Sequence, residues 1–456
     1  MSFHNRSKKY VRSFPIWMVL AGFGLAVQPN YQPFGLAPYD WQRWAEALML
    51  AFATSVCLPL GFRLCCLLNG LERCLLALLG IMMFVSAAFS EVGWLSWAAL
   101  LRLCLWAALL VSLPVAFSCV SKGVGRKICW GVMFGLGLYA FYAGIGLFVL
   151  ASHGVYDRTI SVAGFANVNH AAGFLALAVM ILPGFTADAL SGPHRLKPGV
   201  ATLVAAPLAM MLLIIGSRGS FLGMATGALA VIILAKREVS VPYCKTLIGY
   251  LLSGAALYGL LRWSVRGTLE SPEKSLFSDS GRLQLYQLAW DGIVSAPFWG
   301  HGPLSYAAID ETLLAHPHNL LLTFLYEYGG VTTLLGVLLL AALSVWVLKN
   351  RARWSGSLEA AAGMAVVVAF AVHSQVSGLA MIPLSLCVLA LGVGLWGAPL
   401  VTDVRINQNF SWWALGGAVV VGGVYLVLVS LYWTGLDEGM VSSPRFWLQG
   451  KLPLGS

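Results

Sequence analysis

Apolar stretches of about 16 to 25 residues recur along nearly the whole chain, and each is long enough to cross a hydrocarbon layer about 30 Å thick as a helix. They lie near residues 13–28, 43–62, 71–90, 93–118, 128–151, 170–186, 199–216, 219–235, 243–262, 331–348, 359–378, 380–399 and 412–433. Lipid offers no partner to a free backbone amide, so such stretches satisfy themselves as helices. The pattern predicts an all-α polytopic membrane protein of about 12 to 14 transmembrane helices. The first stretch follows Arg6, Lys8, Lys9 and Arg12 as the core of a signal peptide would. Val27-Gln28-Pro29-Asn30 offers no small-residue cleavage site, so this stretch is read as a retained span.

One interruption is much longer than the rest. It divides the chain into N-terminal spans (1–262), a polar loop (263–330), C-terminal spans (331–433) and a tail (434–456). Within the loop, Arg266 to Ser280 is rich in Ser, Glu, Lys and Pro and reads as mobile. From Gly281 to Ser295, Leu283, Leu285, Leu288, Ile293 and Val294 alternate with polar groups, which predicts a short amphipathic helix at the membrane surface. Pro297, Gly300, Gly302 and Pro303 end it. A further helix is expected after Pro317, running to Gly329-Gly330 and re-entering the membrane edge.

Composition supports this reading, with 59% hydrophobic and 10% charged residues, far from the balance of a soluble domain. The net charge of +10 is mostly a topology signal rather than a nucleic-acid footprint. With the N-terminus inside, alternate loops collect Arg63 and Arg73, Lys122, Arg126 and Lys127, Arg195 and Lys197, Lys236, Arg237 and Lys245, Lys349, Arg351 and Arg353, and Arg405. The 263–330 loop then faces outward. All nine cysteines fall in spans or inner loops, so neither a structural disulfide nor a cysteine zinc site is expected.

Several polar groups at the outward ends could carry chemistry. Gly216-Ser217-Arg218-Gly219-Ser220 breaks two spans and sets Arg218 beside a helix start, where guanidinium and amides suit a phosphate oxyanion. The same turn could simply face lipid headgroups. Ser280-Gly281-Arg282 heads the surface helix, an ordinary place for a headgroup contact. Ala315-His316-Pro317-His318-Asn319 precedes the next helix, whose dipole disfavours an imidazolium and so favours a neutral base. A capping or packing role is the alternative, and no third ligand is spaced to make the two histidines a metal site. Arg102, within a span, marks a polar cavity or snorkels. Asn167, Asn169 and His170 either line a site or cap the following helix, and His373, Ser374 and Gln375 stand at another outward turn.

Four of these segments, in order, resemble the O-antigen ligase superfamily. His318-Asn319 followed by Gly329 and Thr332 is similar to its histidine signature, and Gly216-Ser217-Arg218-Gly219 to its Ser-Arg-Gly turn. Gly281-Arg282-Leu283 resembles its loop arginine, and Gly164 to His170 its Asn-x-Asn-His segment. The resemblance implies a GT-C-type membrane fold. It implies an inverting, metal-independent transfer with no cofactor, at the periplasmic face of a bacterial inner membrane, from an undecaprenyl-pyrophosphate glycan donor to a sugar hydroxyl of lipid A-core. Arg218 and Arg282 would bind pyrophosphate and His318 would activate the acceptor, with Arg102, Asn167, Asn169, His170, His316 and Asn319 as further substrate-binding candidates. The chain has no Asp-x-Asp motif to hold a divalent ion. A repeat-unit polymerase and a protein O-oligosaccharyltransferase share these segments, and a lipid-linked glycan flippase is the non-enzymatic alternative, predicting two-fold internal similarity.

Overall fold

The computed structural model describes residues 3–26, 38–65, 69–119, 122–152, 165, 167–186, 198–264, 282–309, 316–401 and 412–434. The stretch Arg266 to Ser280, Gly281, Gly164, Ala166, Ala315 and the tail after Thr434 lie outside the described residues. The helices are α1 (Phe3–Ala26), α2 (Pro38–Cys65), α3 (Gly70–Ala88), α4 (Trp94–Ser118), α5 (Lys122–Ser152), α6 (Val168–Ile181), α7 (Pro183–Thr186) and α8 (Pro198–Ile215). They continue as α9 (Arg218–Leu234), α10 (Arg237–Ser264), α11 (Arg282–Ser295), α12 (Leu320–Lys349), α13 (Arg351–Trp354), α14 (Leu358–His373), α15 (Pro383–Gly397) and α16 (Trp412–Thr434).

Among the described residues there is no strand, and every apolar stretch named from the sequence coincides with a helix. Seven segments are long and apolar enough to cross a membrane, and shorter apolar segments lie within α1, α8, α9, α14 and α16. The protein is an all-α, multi-pass membrane protein.

Packing groups these helices into two units that interleave along the chain. One holds residues 1–33, 113–278 and 352–402, the other 34–112, 279–351 and 403–456. The spans that follow the loop in sequence are therefore divided between the two units.

In the first unit α6 is the central helix. It is buried on all sides from His170 to Ile181, as expected of a helix apolar all round. Alongside it, α9 repeats glycine at every fourth position, Gly219, Gly223 and Gly227, and presents that stripe to α14. A Cβ at Gly223 would stand 2.9 Å from the Ala369 carbonyl oxygen, and one at Gly227 2.5 Å from that of Ala365. Lipid tails are as apolar as leucine, so close backbone approach through small residues is what holds such helices together.

In the second unit α2 packs on α16, α3 on α12, and α11 on α12. The long helix α12 is broken at Gly329, which adopts φ 76° and ψ 173°. A residue with a Cβ rarely takes that conformation. The expected helix after Pro317 and the following span are thus one element with a kink at the expected joint.

The α9 stripe makes a prediction. Gly227→Val should lower the thermal unfolding midpoint in detergent, because overpacking costs about 1–3 kcal/mol. Leu229→Ala, on the exposed side of the same helix, should leave it nearly unchanged. A Gly227→Val protein that melts with the wild type would show that α9 and α14 are not pressed together.

Candidate active site

The break at Gly329 interrupts the α12 hydrogen-bond ladder and leaves carbonyls without their helical partners. The loop after α11 takes them up. His301 N–H donates to the Tyr326 carbonyl (3.0 Å), Gly302 N–H to that of Glu327 (2.8 Å), and Gly330 N–H is diverted to the Pro297 carbonyl (2.7 Å). The Ser86 hydroxyl from α3 also donates to the Glu327 carbonyl (2.7 Å). Gly300 has positive φ, and a Cβ there would stand 2.5 Å from the Glu327 backbone. The α11 loop is therefore fastened to α12 main chain to main chain.

Side chains complete the joint. Ala289, Ile293, Tyr306 and Tyr326 form a buried cluster, against which Ile309, Leu322 and Leu325 pack. Tyr306 Oη donates to the Leu285 carbonyl (3.2 Å), and the His301 ring stacks on Tyr326 at 4.7 Å. Gly292 lies so close to the Tyr326 ring that a side chain there would collide with it. Of the apolar residues predicted to pattern α11, Leu285 and Ile293 face this protein core, whereas Leu283 and Val294 are exposed.

This joint sets the start of α11 near the start of α12. Asn319 is the α12 N-cap, and its side chain accepts from Leu322 N–H (2.9 Å). Its carbonyl accepts from the Thr323 hydroxyl (2.8 Å). Just before it, His318 has φ 57°, a left-handed backbone that is uncommon for a side-chain-bearing residue. The His318 amide donates to His316 Nδ1 (3.1 Å), so a neutral His316 carries its proton on Nε2. The two rings meet edge to face with centroids 4.4 Å apart, and both residues are buried.

Burial, with the Arg282 charge adding to it, lowers the His318 imidazole from its ordinary value to about 4. The ring is neutral at physiological pH and free to take a proton. Arg282 is the first residue of α11, an end where the helix dipole disfavours a cation by about 0.3–1 kcal/mol. A positive side chain beside positive helix amides makes that spot receptive to an anion. The joint therefore presents a neutral base and an anion-receptive guanidinium together.

The first unit holds Arg218, the start of α6 and the His373 turn. Arg218 is likewise the first residue of its helix, after Gly216 with φ 63°. The N-cap Ser217 makes no side-chain capping bond, so the first-turn amides of α9 are left to other acceptors. His373 comes from the end of α14 and is buried, its ring set so close that a Cβ at Gly219 would stand 3.1 Å from Nε2 and one at Gly173 2.9 Å from Nδ1. Ser220, Ser374 and Ser377 bury hydroxyls without a hydrogen-bond partner among the described residues. Asn167 is the α6 N-cap and accepts from Asn169 N–H (2.8 Å), which is the capping reading of that residue. Asn169 is half-buried and His170 buried in the first turn of α6.

Arg102 neither snorkels nor lines an open path. Its Nε and Nη2 reach Glu46 Oε1 at 2.9 and 2.6 Å, Trp106 Nε1 donates to the same oxygen, and Arg43 Nη1 reaches Oε2 at 2.9 Å. Glu46 is nearly inaccessible, and removing one member of such a buried set leaves its partners uncompensated. Sequence reading passed over Glu46, although a lone acid inside an apolar stretch is itself a signal for a buried partner.

Residues 203–336 match a family model described as O-antigen ligase, a segment that contains Arg218, Arg282, His316, His318, Asn319 and the Gly329 kink but neither Arg102 nor the start of α6. No curated protein matches the chain. That segment, which carries the Ser-Arg-Gly turn, the loop arginine and the histidine signature together, is similar to the O-antigen ligase family and spans under a third of the chain.

Proposed function

We propose that this protein is an inverting glycosyltransferase that moves a glycan from undecaprenyl pyrophosphate to a sugar hydroxyl of lipid A-core. On the charge pattern of its loops, the site faces the periplasm from a bacterial inner membrane. What supports the reading above all is His318, a buried neutral imidazole on a left-handed backbone beside Arg282. Strained, desolvated bases of this kind cluster at sites of chemistry.

The acceptor hydroxyl gives its proton to the His318 ring as its oxygen attacks the anomeric carbon of the donor sugar. The bond from that carbon to the diphosphate oxygen breaks, and its electron pair leaves with the diphosphate. Arg282 balances the charge that grows there, an interaction stronger in the transition state than in the ground state. By the family resemblance alone, Arg218 of the first unit is a further diphosphate-binding candidate. Attack opposite the leaving group inverts the anomeric centre. His316 holds the His318 backbone through its Nδ1 and so orients the base.

His318→Ala should reduce transfer by about 10²- to 10⁴-fold, the usual contribution of a general base, with donor binding nearly intact. Wild-type turnover in that variant would remove the base from the mechanism. Because His318 is neutral down to about pH 4, kcat/KM should hold as pH falls through the ordinary histidine range and drop only near 4. Arg282→Ala removes a neighbouring cation, lets the imidazole pKa rise, and should move that limb to higher pH. It should also reduce kcat/KM by about ten- to a hundredfold through lost charge-assisted bonds. An acid limb near 6.5 in the wild type, or one unmoved in Arg282→Ala, would contradict the pairing.

The acceptor is tested by offering the reconstituted protein, in turn, lipid A-core, a second lipid-linked glycan and a pilin-like protein. Product on lipid A-core with release of undecaprenyl pyrophosphate is expected. Product only on the second lipid-linked glycan makes the protein a polymerase, product only on the pilin-like protein makes it an O-oligosaccharyltransferase, and translocation without cleavage makes it a flippase.

A further inference from the structure

The outward side of α11 is divided in two. At about 100° per residue, Leu283, Trp290 and Val294 fall along one edge, and Gln284, Asp291 and Ser295 along another, all of them exposed, with Gln287 between. The third side, Leu285, Ala289 and Ile293, is buried, with Ala289 and Ile293 packed against Tyr326 of α12 and Tyr306 of the 304–309 segment. The helix ends in a turn whose tip is Phe298 and Trp299. These five apolar side chains, Leu283, Trp290, Val294, Phe298 and Trp299, are between 49% and 68% exposed.

So much exposed aromatic and aliphatic surface on one edge of a short helix needs a cover. The tip is bonded, main chain to main chain, to the kink of α12, and beyond the kink α12 exposes Leu334, Val337, Leu338 and Leu340 as a membrane-crossing helix does to lipid. The apolar edge of α11 belongs to the same rigid joint. Tryptophan favours the level where headgroups meet acyl chains, and a helix with one apolar and one polar edge lies along that boundary.

We propose that α11 and the Phe298-Trp299 tip are a membrane-interface anchor, with the bilayer surface as its occupant, and that the anchor fixes the depth of Arg282 and His318. Arg282 heads the anchored helix, and the backbone joint ties it to the start of α12. The catalytic pair is thereby held at headgroup level, where the diphosphate of a long-chain isoprenoid lipid lies while its tail remains in the acyl region. This consequence rests on the transferase reading, whereas the anchor itself does not.

The full-length protein in vesicles of phosphatidylethanolamine and phosphatidylglycerol provides the test. A photoreactive benzophenone side chain is placed at position 290 in one sample and at position 291 in another, and adducts are identified by mass spectrometry. Phospholipid adducts should be at least about fivefold more abundant at 290 than at 291. Equal labelling at both positions, or adducts at 290 to a second copy of the chain, would overturn the anchor.

A second measurement uses the triple variant Trp290→Ser, Phe298→Ser and Trp299→Ser, which leaves the buried face of α11 untouched. Its KM for a long-chain isoprenoid-diphosphate donor should rise about tenfold or more, while kcat/KM for a short-chain, water-soluble donor stays at the wild-type value. An equal loss with both donors would show that these side chains do not set depth. Lipid adducts at 290 in a protein that releases no diphosphate from any donor would leave the anchor standing and remove the transferase reading instead.

Discussion

At Gly329 the α12 backbone leaves the helical region, and the Tyr326 and Glu327 carbonyls lose their helical donors. Inside a membrane protein such groups cannot be left to solvent, and each unpaired one costs several kcal/mol. The 297–302 turn supplies the missing donors and brings its own backbone within contact of α12. Gly300, Gly302 and Gly329 all take positive φ, and a Cβ at any of them would meet a neighbouring atom. From this one exchange of hydrogen bonds follow the position of α11, the burial of Tyr306 and Tyr326, and the nearness of Arg282 to His318.

The two cationic candidates share a physical peculiarity. Arg218 and Arg282 each begin a helix, where electrostatics favours an acid. At both positions the helix-start amides and the guanidinium are positive together. Arg102 is the counter-example. It has the same side chain but lies beside a buried carboxylate that takes up its charge, so its role is served within the fold.

Much of this was legible from residue order. The apolar stretches located every long helix among the described residues, Pro317 and Gly329-Gly330 marked the start and kink of α12, and three of the four resembling segments fall in the family match, Gly164 to His170 lying outside it. Less legible was the division of α11 into three sides. Leu285 and Ile293 look no different in sequence from Leu283 and Val294, yet the first two are buried, Ile293 in the cluster with Tyr306 and Tyr326, and the others are exposed. The glycine stripe of α9 was present in the sequence but gains meaning only opposite Ala365, Ala369 and His373 on α14.

The sequence by itself determined that the chain lives in lipid as helices, because span length and apolarity are local properties that the bilayer reads one segment at a time. It also marked the polar residues available for chemistry at the ends of those spans. Only the tertiary structure decided which of them are taken up by the fold, as Arg102 is by Glu46 and Asn319 by the first turn of α12. It also decided how far the His318 pKa is lowered, because desolvation and neighbouring charge depend on residues far away in the chain.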